Sequence, residues 1–254
     1  MCLILVVWRV HPVYRCVIAA NRDEFHQRPT APARWWTDKP DILGGRDLLA
    51  NGTWLGLSRS GRFAALTNFR GAASRGPTAP SRGELVTRML DSRRPLHEEL
   101  AQLAQVGGRY NGFNLVVSDG EKLGIYESER GVGRELGPGV YGLSNHLLDT
   151  PWPKVHRAKS RLMNALGELP RTASILDLLR DDQPAADEDL PRTGVSLEWE
   201  RLLSSAFVRS ADYGTRCSTV VCMRADGATR FEEWSWAADG GESGRQSVQF
   251  TAGA

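Results

Sequence analysis

Four times along the chain, two short apolar runs flank a turn of three to five residues. The pairs are CLILVVW (2–8) with YRCVIAA (14–20), TWLGLS (53–58) with RFAALTN (62–68), GFNLVVS (112–118) with KLGIYES (122–128), and CSTVVCM (217–223) with TRFEEWSW (229–236). Runs this short are strand-length, and a turn this tight reverses the chain, so each pair predicts a β-hairpin. The turns carry Asp119-Gly120 and Asp226-Gly227, dipeptides that accept the backbone twist a hairpin needs. The first run is apolar at every position, which predicts a strand buried on both faces. Four hairpins demand mainly antiparallel sheet.

Helical patterns lie between them. SRGELVTRMLDS (81–92) has Ser81 three residues before Glu84, a capping-box spacing. PLHEELAQLAQV (95–106) begins with proline, tolerated in a first helical turn. Residues 151–167 and 173–180 read as two further amphipathic helices, DDQPAADEDLPRTG (181–194) as an exposed loop, and the tail from about Gly240 as frayed. No repeat or composition break divides the chain, so residues 1–254 read as one domain. The order predicts an α+β fold, antiparallel sheets covered by helices.

Charge narrows the functional classes. The net charge is +2 and its cations are dispersed, which argues against a nucleic-acid or anionic-membrane partner. No stretch approaches the roughly 20 apolar residues of a spanning helix, and the opening run is too short for a signal peptide. The expectation is a cytoplasmic protein without integral membrane contact. Cys2, Cys16, Cys217 and Cys222 are too few and too irregular for a disulfide framework or a structural zinc site, so no metal centre is expected.

Cys2 is the candidate for chemistry. If Met1 is removed, one residue offers a thiol and a free α-amine, with reference pKa values of about 8.5 and 7.7–8.0. A neutral amine can take the thiol proton, so nucleophile and base coincide. The default for a lone cysteine is a small hydrophobe opening a buried strand; its company argues otherwise. In an antiparallel hairpin the end of the second strand lies beside the start of the first. Asn21, Arg22, Asp23 and Glu24 therefore come next to Cys2. Asn68, Asn145 and Arg216 are polar donors where other apolar runs meet turns, positions that equally suit capping residues.

As a set these residues resemble the NRDE family, which includes the transport and Golgi organization protein 2 group. The resemblance rests on ordered blocks: MCLI, AANRDEF, GGRDLLANGTWLGLSRSGRFAALTNFR (44–70), SRGELV (81–86), YNGFNLVVSD (110–119), YGLSNHLLDTPWPKV (141–155) and YGTRCSTVV (213–221). More distantly the chain resembles N-terminal-nucleophile cysteine hydrolases of the bile-salt hydrolase and penicillin V acylase type. That resemblance implies a four-layer αββα sandwich. It also implies Cys2 as nucleophile, Asn68 and Asn145 at the oxyanion, and Arg216 as the late arginine of the site. Those hydrolases separate their Arg and Asp by two residues, whereas Arg22 and Asp23 are adjacent here. Adjacent strand residues face opposite ways. Asp23 is assigned to the α-amine, with Asn21 or Arg22 in the remaining role and Glu24 in support.

Three functions follow. The first is hydrolysis of an amide or thioester in a small, partly apolar substrate, with no cofactor required. The second, implied by the family resemblance, is a carrier of haem or of acyl-CoA and lipid. Haem would then be cargo, His146 the candidate ligand, and Trp35, Trp36, Trp54 and Trp152 candidate walls of an apolar pocket. The third is an interaction scaffold on an inactive hydrolase fold. The oligomeric state is not legible in the sequence.

Overall fold

The computed structural model describes residues 2–71, 76 and 78–253. In chain order it builds β1 (Cys2–Trp8), β2 (Tyr14–Phe25), β3 (Thr30–Trp35), β4 (Ile42–Asp47), β5 (Leu55–Ser58) and β6 (Phe63–Asn68). Then come helices α1 (Gly83–Asp91) and α2 (Leu96–Val106), followed by β7 (Phe113–Ser118), β8 (Leu123–Glu127), β9 (Val132–Leu136) and β10 (Gly139–Leu143). Helices α3 (Pro153–Ala165), α4 (Ala173–Leu179) and α5 (Leu197–Leu202) precede β11 (Tyr213–Arg224), β12 (Ala228–Trp236) and β13 (Glu242–Thr251). The four hairpins predicted from the apolar runs all form.

Two antiparallel sheets result, ordered β10-β1-β2-β11-β12-β13 and β3-β4-β5-β6-β7-β8-β9. Alternation along β1 explains the stacking. Leu3, Leu5 and Val7 pack with Val155, Leu162, Ile175 and Leu178 of α3 and α4. Ile4, Val6 and Trp8 face the second sheet and pack with Leu55, Leu57, Phe63 and Val116. The far face of the second sheet packs Ala64, Leu66, Leu115 and Val117 against Leu85, Met89 and Leu103 of α1 and α2. Three cores between four layers make the αββα sandwich. Each fully buried Leu or Ile contributes about 1.5–3 kcal/mol relative to exposure, so both faces of β1 anchor the stack.

Two expectations need correction. The tail is not frayed: β13 pairs with β12 from Ala228↔Thr251 to Trp236↔Glu242. As an edge strand it needs only Val248 and Phe250 against the inter-sheet core, so its sequence lacks an apolar run. Nor does a capping box open α1. Arg82 holds the cap position, and Glu84 accepts from the Tyr110 hydroxyl at 2.5 Å instead of turning back to Ser81. No helix among the described residues is long and apolar enough to cross a membrane.

Candidate active site

The first hairpin fixes the register of the site. Cys2 lies directly opposite Arg22, and Leu3 opposite Asn21. Cys2 has the same parity as Ile4, so its side chain belongs to the inter-sheet side of β1. Arg22 shares that side; Asn21 faces the α3–α4 layer, and Asp23, of the same parity as Asn21, still borders the cavity that Cys2 lines. The thiol is thus half-buried at the open end of the cleft between the sheets.

A cavity of about 350 Å³ opens there, lined by Cys2, Arg22, Glu24, Trp54, Asn68 and Arg82 among others. The Arg22 guanidinium sits 4.3 Å from the Trp54 ring centre and donates to the Thr30 hydroxyl at 3.2 Å. It lies 3.9 Å from Glu24 and 4.0 Å from Asp47, and Arg28 donates to Asp47 at 2.7 Å. Arg82 reaches in from the far side with Nη1 on the Gly112 carbonyl at 2.9 Å. Burial raises the Cys2 thiol above its ordinary pKa and the nearby Asp23 charge raises it further, while the amino terminus, then Arg22 and the Asp23 backbone amide, pull it back down. The sulfur is therefore held between desolvation, which favours the thiol, and donors that favour the thiolate.

Beneath Cys2, Asp23 is buried and accepts from the Thr215 hydroxyl at 2.7 Å. The Tyr213 hydroxyl donates to the Asp23 carbonyl at 3.0 Å. Burial raises the Asp23 carboxyl, opposed first by the amino terminus and then by Lys154, the Thr215 bond and Arg22. Asn21 plays a different part. Its amide nitrogen donates to the Leu179 and Ala206 carbonyls, each at 2.7 Å, and its oxygen accepts from Ser218 at 2.6 Å. Those bonds tie β2 to the helical layer and leave Arg22 as the member of the pair that shares the face of Cys2.

The remaining predicted residues divide. Asn68, at the end of β6, lines the cavity with Cys2. Asn145 is fully buried outside the lining; its amide donates to the Asn68 carbonyl at 2.9 Å, so it braces the strand end that carries Asn68. Arg216 also stands outside this lining. At a bulge in β11 its Nη1 donates to the carbonyls of Phe25, His26 and Arg28, securing the turn after β2. It borders a second cavity of about 330 Å³ with Trp54, Cys217 and Glu233. His146 packs between Phe69 and Trp152 with Nδ1 2.9 Å from the Thr150 hydroxyl, away from Cys2's cavity. Of the four tryptophans, only Trp54 lines that cavity.

Sequence reasoning missed Arg82, Ser81, Asp47 and Asn111, all lining the cavity. Ser81 and Arg82 were visible in SRGELV, but that block reads as a helix start. The other missed contact is Ser144, whose hydroxyl donates to the Cys2 carbonyl at 3.1 Å and pins the backbone of Cys2.

Comparison with known proteins agrees with this architecture. A family model, Transport and Golgi organisation 2, matches residues 1–238. The chain is 39% identical over 260 residues to the Transport and Golgi organization protein 2 homolog of Bos taurus, covering 92% of this chain and 93% of that one. It is 36% identical over 258 residues to the Homo sapiens homolog, with the same coverage. Among solved structures, a Caenorhabditis elegans N-acylethanolamine-hydrolyzing acid amidase ortholog superposes with a TM-score of 0.50 at 11% identity. That match covers 86% of this chain and 92% of the other and shares the fold alone. The chain belongs to the Transport and Golgi organisation 2 family.

Proposed function

We propose that in this member of the family Cys2 is the nucleophile of an amide or thioester hydrolase of the N-terminal-nucleophile type. The observation that carries the reading is the half-buried Cys2 lining a polar cavity together with Asn68 and Arg82, with Arg22 directly across the hairpin. Removal of Met1, which lies outside the described residues, would free the α-amine of Cys2. That amine takes the thiol proton, and Sγ attacks the substrate carbonyl carbon. The carbon–nitrogen or carbon–sulfur bond to the leaving group breaks as the leaving group takes the proton from the amine. Water then attacks the thioester on Cys2, releasing a carboxylic acid and restoring the thiol. Asn68 is the side-chain donor within the lining that suits the developing oxyanion. Leu66, Trp54, Ala79 and Pro80 give the cavity an apolar part beside its charged one, which suits a small, partly apolar acyl group.

The test combines intact mass with turnover of short-chain acyl amides and thioesters. The expected result is loss of one methionine, an acyl adduct on Cys2, and no turnover in Cys2→Ala. Retained Met1, or hydrolysis surviving in Cys2→Ala, overturns the reading. A carrier of haem or acyl-CoA is the competing reading. It is favoured instead if haem binds stoichiometrically with a Soret band lost in Cys2→Ala and no substrate turns over.

A further inference from the structure

Two cavities in the cleft, of about 350 and 330 Å³, share Trp54 in their linings. Strand register shows what stands between them. Arg22 of β2 pairs with Cys2 of β1 on one side and with Cys217 of β11 on the other. Adjacent strands lie about 4.8 Å apart, so the two cysteine backbones are roughly 10 Å apart with Arg22 midway. Cys217 has the parity of Val221 and Met223, which pack in the inter-sheet core, so all three side chains rise from one face of the sheet. Cys2 lines one cavity, Cys217 lines the other, and Trp54 stacks on the Arg22 guanidinium between them.

The indole is held in that place. A Cβ on Gly45 would collide with its Cζ2 and Cη2 atoms, and Gly45 is buried in β4, so the missing side chain makes room for the ring. Trp54 also packs against the inter-sheet core. Its partner Arg22 is fixed independently by the Thr30 hydroxyl at 3.2 Å and by Glu24 and Asp47 within 4.0 Å. Protein interiors leave few voids larger than a water molecule, yet open space lies on both sides of this one side chain. Beyond it, Ala31, Pro32 and Trp236 give the second cavity an apolar part of its own.

We propose that Trp54 is a specificity-determining residue of the Cys2 site: its indole is the end wall that limits the group accepted by Cys2 to a short acyl chain. The second cavity is the space which that wall withholds. The inference rests on the catalytic reading above for its substrate, though not for its first test. A longer chain would have to displace a ring that is stacked on a guanidinium and seated over Gly45. Truncating the ring opens a passage, because Arg22 keeps its other partners and the space beyond is already there.

The experiment compares alkylation of Cys2 by N-ethylmaleimide and N-octylmaleimide, each normalised to its rate with free cysteine and resolved by peptide mass spectrometry; Cys16, Cys217 and Cys222 are buried. Wild type should discriminate against the octyl reagent. Trp54→Ala should raise the octyl-to-ethyl rate ratio by about tenfold, with Trp54→Phe between the two. Loosening Arg22 slows both reagents alike, so the ratio isolates the wall. An unchanged ratio in Trp54→Ala overturns the proposal, as does a wild type that takes both reagents equally. If Trp54→Ala does not fold, Trp54→Leu carries the same comparison. Butanoyl and octanoyl thioesters then probe acylation of Cys2 by intact mass. Wild type should take the butanoyl group faster and Trp54→Ala should narrow the gap; equal rates in wild type overturn the proposal. A shifted maleimide ratio with no acyl adduct from either thioester sinks the catalytic reading alone.

Discussion

Cys2 and Arg22 face each other across the first hairpin, and the Arg22 guanidinium is fixed there by its stack on Trp54, 4.3 Å from the ring centre. A cation held this way lowers the cost of forming a thiolate opposite it. Arg22→Met should therefore slow iodoacetamide alkylation of Cys2 at pH 7.5 by about three- to tenfold. Arg22→Lys should recover only part of the rate, since an ammonium cannot stack on Trp54 as a planar guanidinium does. Equal rates in all three proteins would show that the sulfur does not feel Arg22.

One position earlier the strand serves a different purpose. Asn21 satisfies two backbone carbonyls and one hydroxyl between β2 and the helical layer, all buried. Asn21→Ala strands those partners and should cost about 2–4 kcal/mol in urea unfolding. Cys2 alkylation in the protein that remains folded should match wild type. A large drop in alkylation with unchanged stability would reverse the assignment and make Asn21 part of the site.

Those two neighbours show what was legible in the sequence. Apolar runs and turn dipeptides sufficed for the hairpins, and hairpin geometry alone brought residues 21–24 beside Cys2. Strand parity indicated that Arg22 and Asp23 could not both face the thiol, but not which side was the cleft. That choice depends on which face of β1 meets the second sheet, a long-range packing fact. Asn145 and Arg216 were singled out by the resemblance, since on their own polar donors at strand ends suit caps and active sites alike. Their bonds to the Asn68 carbonyl and to the turn after β2 involve partners far away in sequence.

The two asparagines should separate kinetically. Asn68 lines the cavity and Asn145 does not. If Asn68 holds the oxyanion, Asn68→Ala should lower kcat by about 2.7–4 kcal/mol of barrier with KM little changed. Asn145→Ala frees the β6 end and should lower thermal stability along with activity, both partly recovered by cooling. Steady-state kinetics beside thermal melts decide it. An isolated kcat loss in Asn145→Ala at full stability would place that amide at the oxyanion.

Glu233 should give the protein a pH-dependent stability unrelated to Cys2. It stands on β12 and accepts from the Ala33 amide on β3 at 2.7 Å, a hydrogen bond between the two sheets. Burial pushes its carboxyl up from 4.5 to about 7, against opposing hydrogen bonds from Ala33, Cys217 and Thr219. The unfolded chain releases this proton near pH 4.5, whereas the folded protein keeps it until about 7. Between those values the native state binds more protons, so this group's contribution falls as pH rises and levels off above the folded value. The loss amounts to roughly 3 kcal/mol at most. Glu233→Gln keeps an acceptor for the Ala33 amide but cannot ionise. Its urea-unfolding free energy should therefore fall less steeply than wild type from pH 5 to 7, and the gap between the two proteins should stop growing above about pH 7. Parallel curves through that window would show that Glu233 ionises normally within the fold.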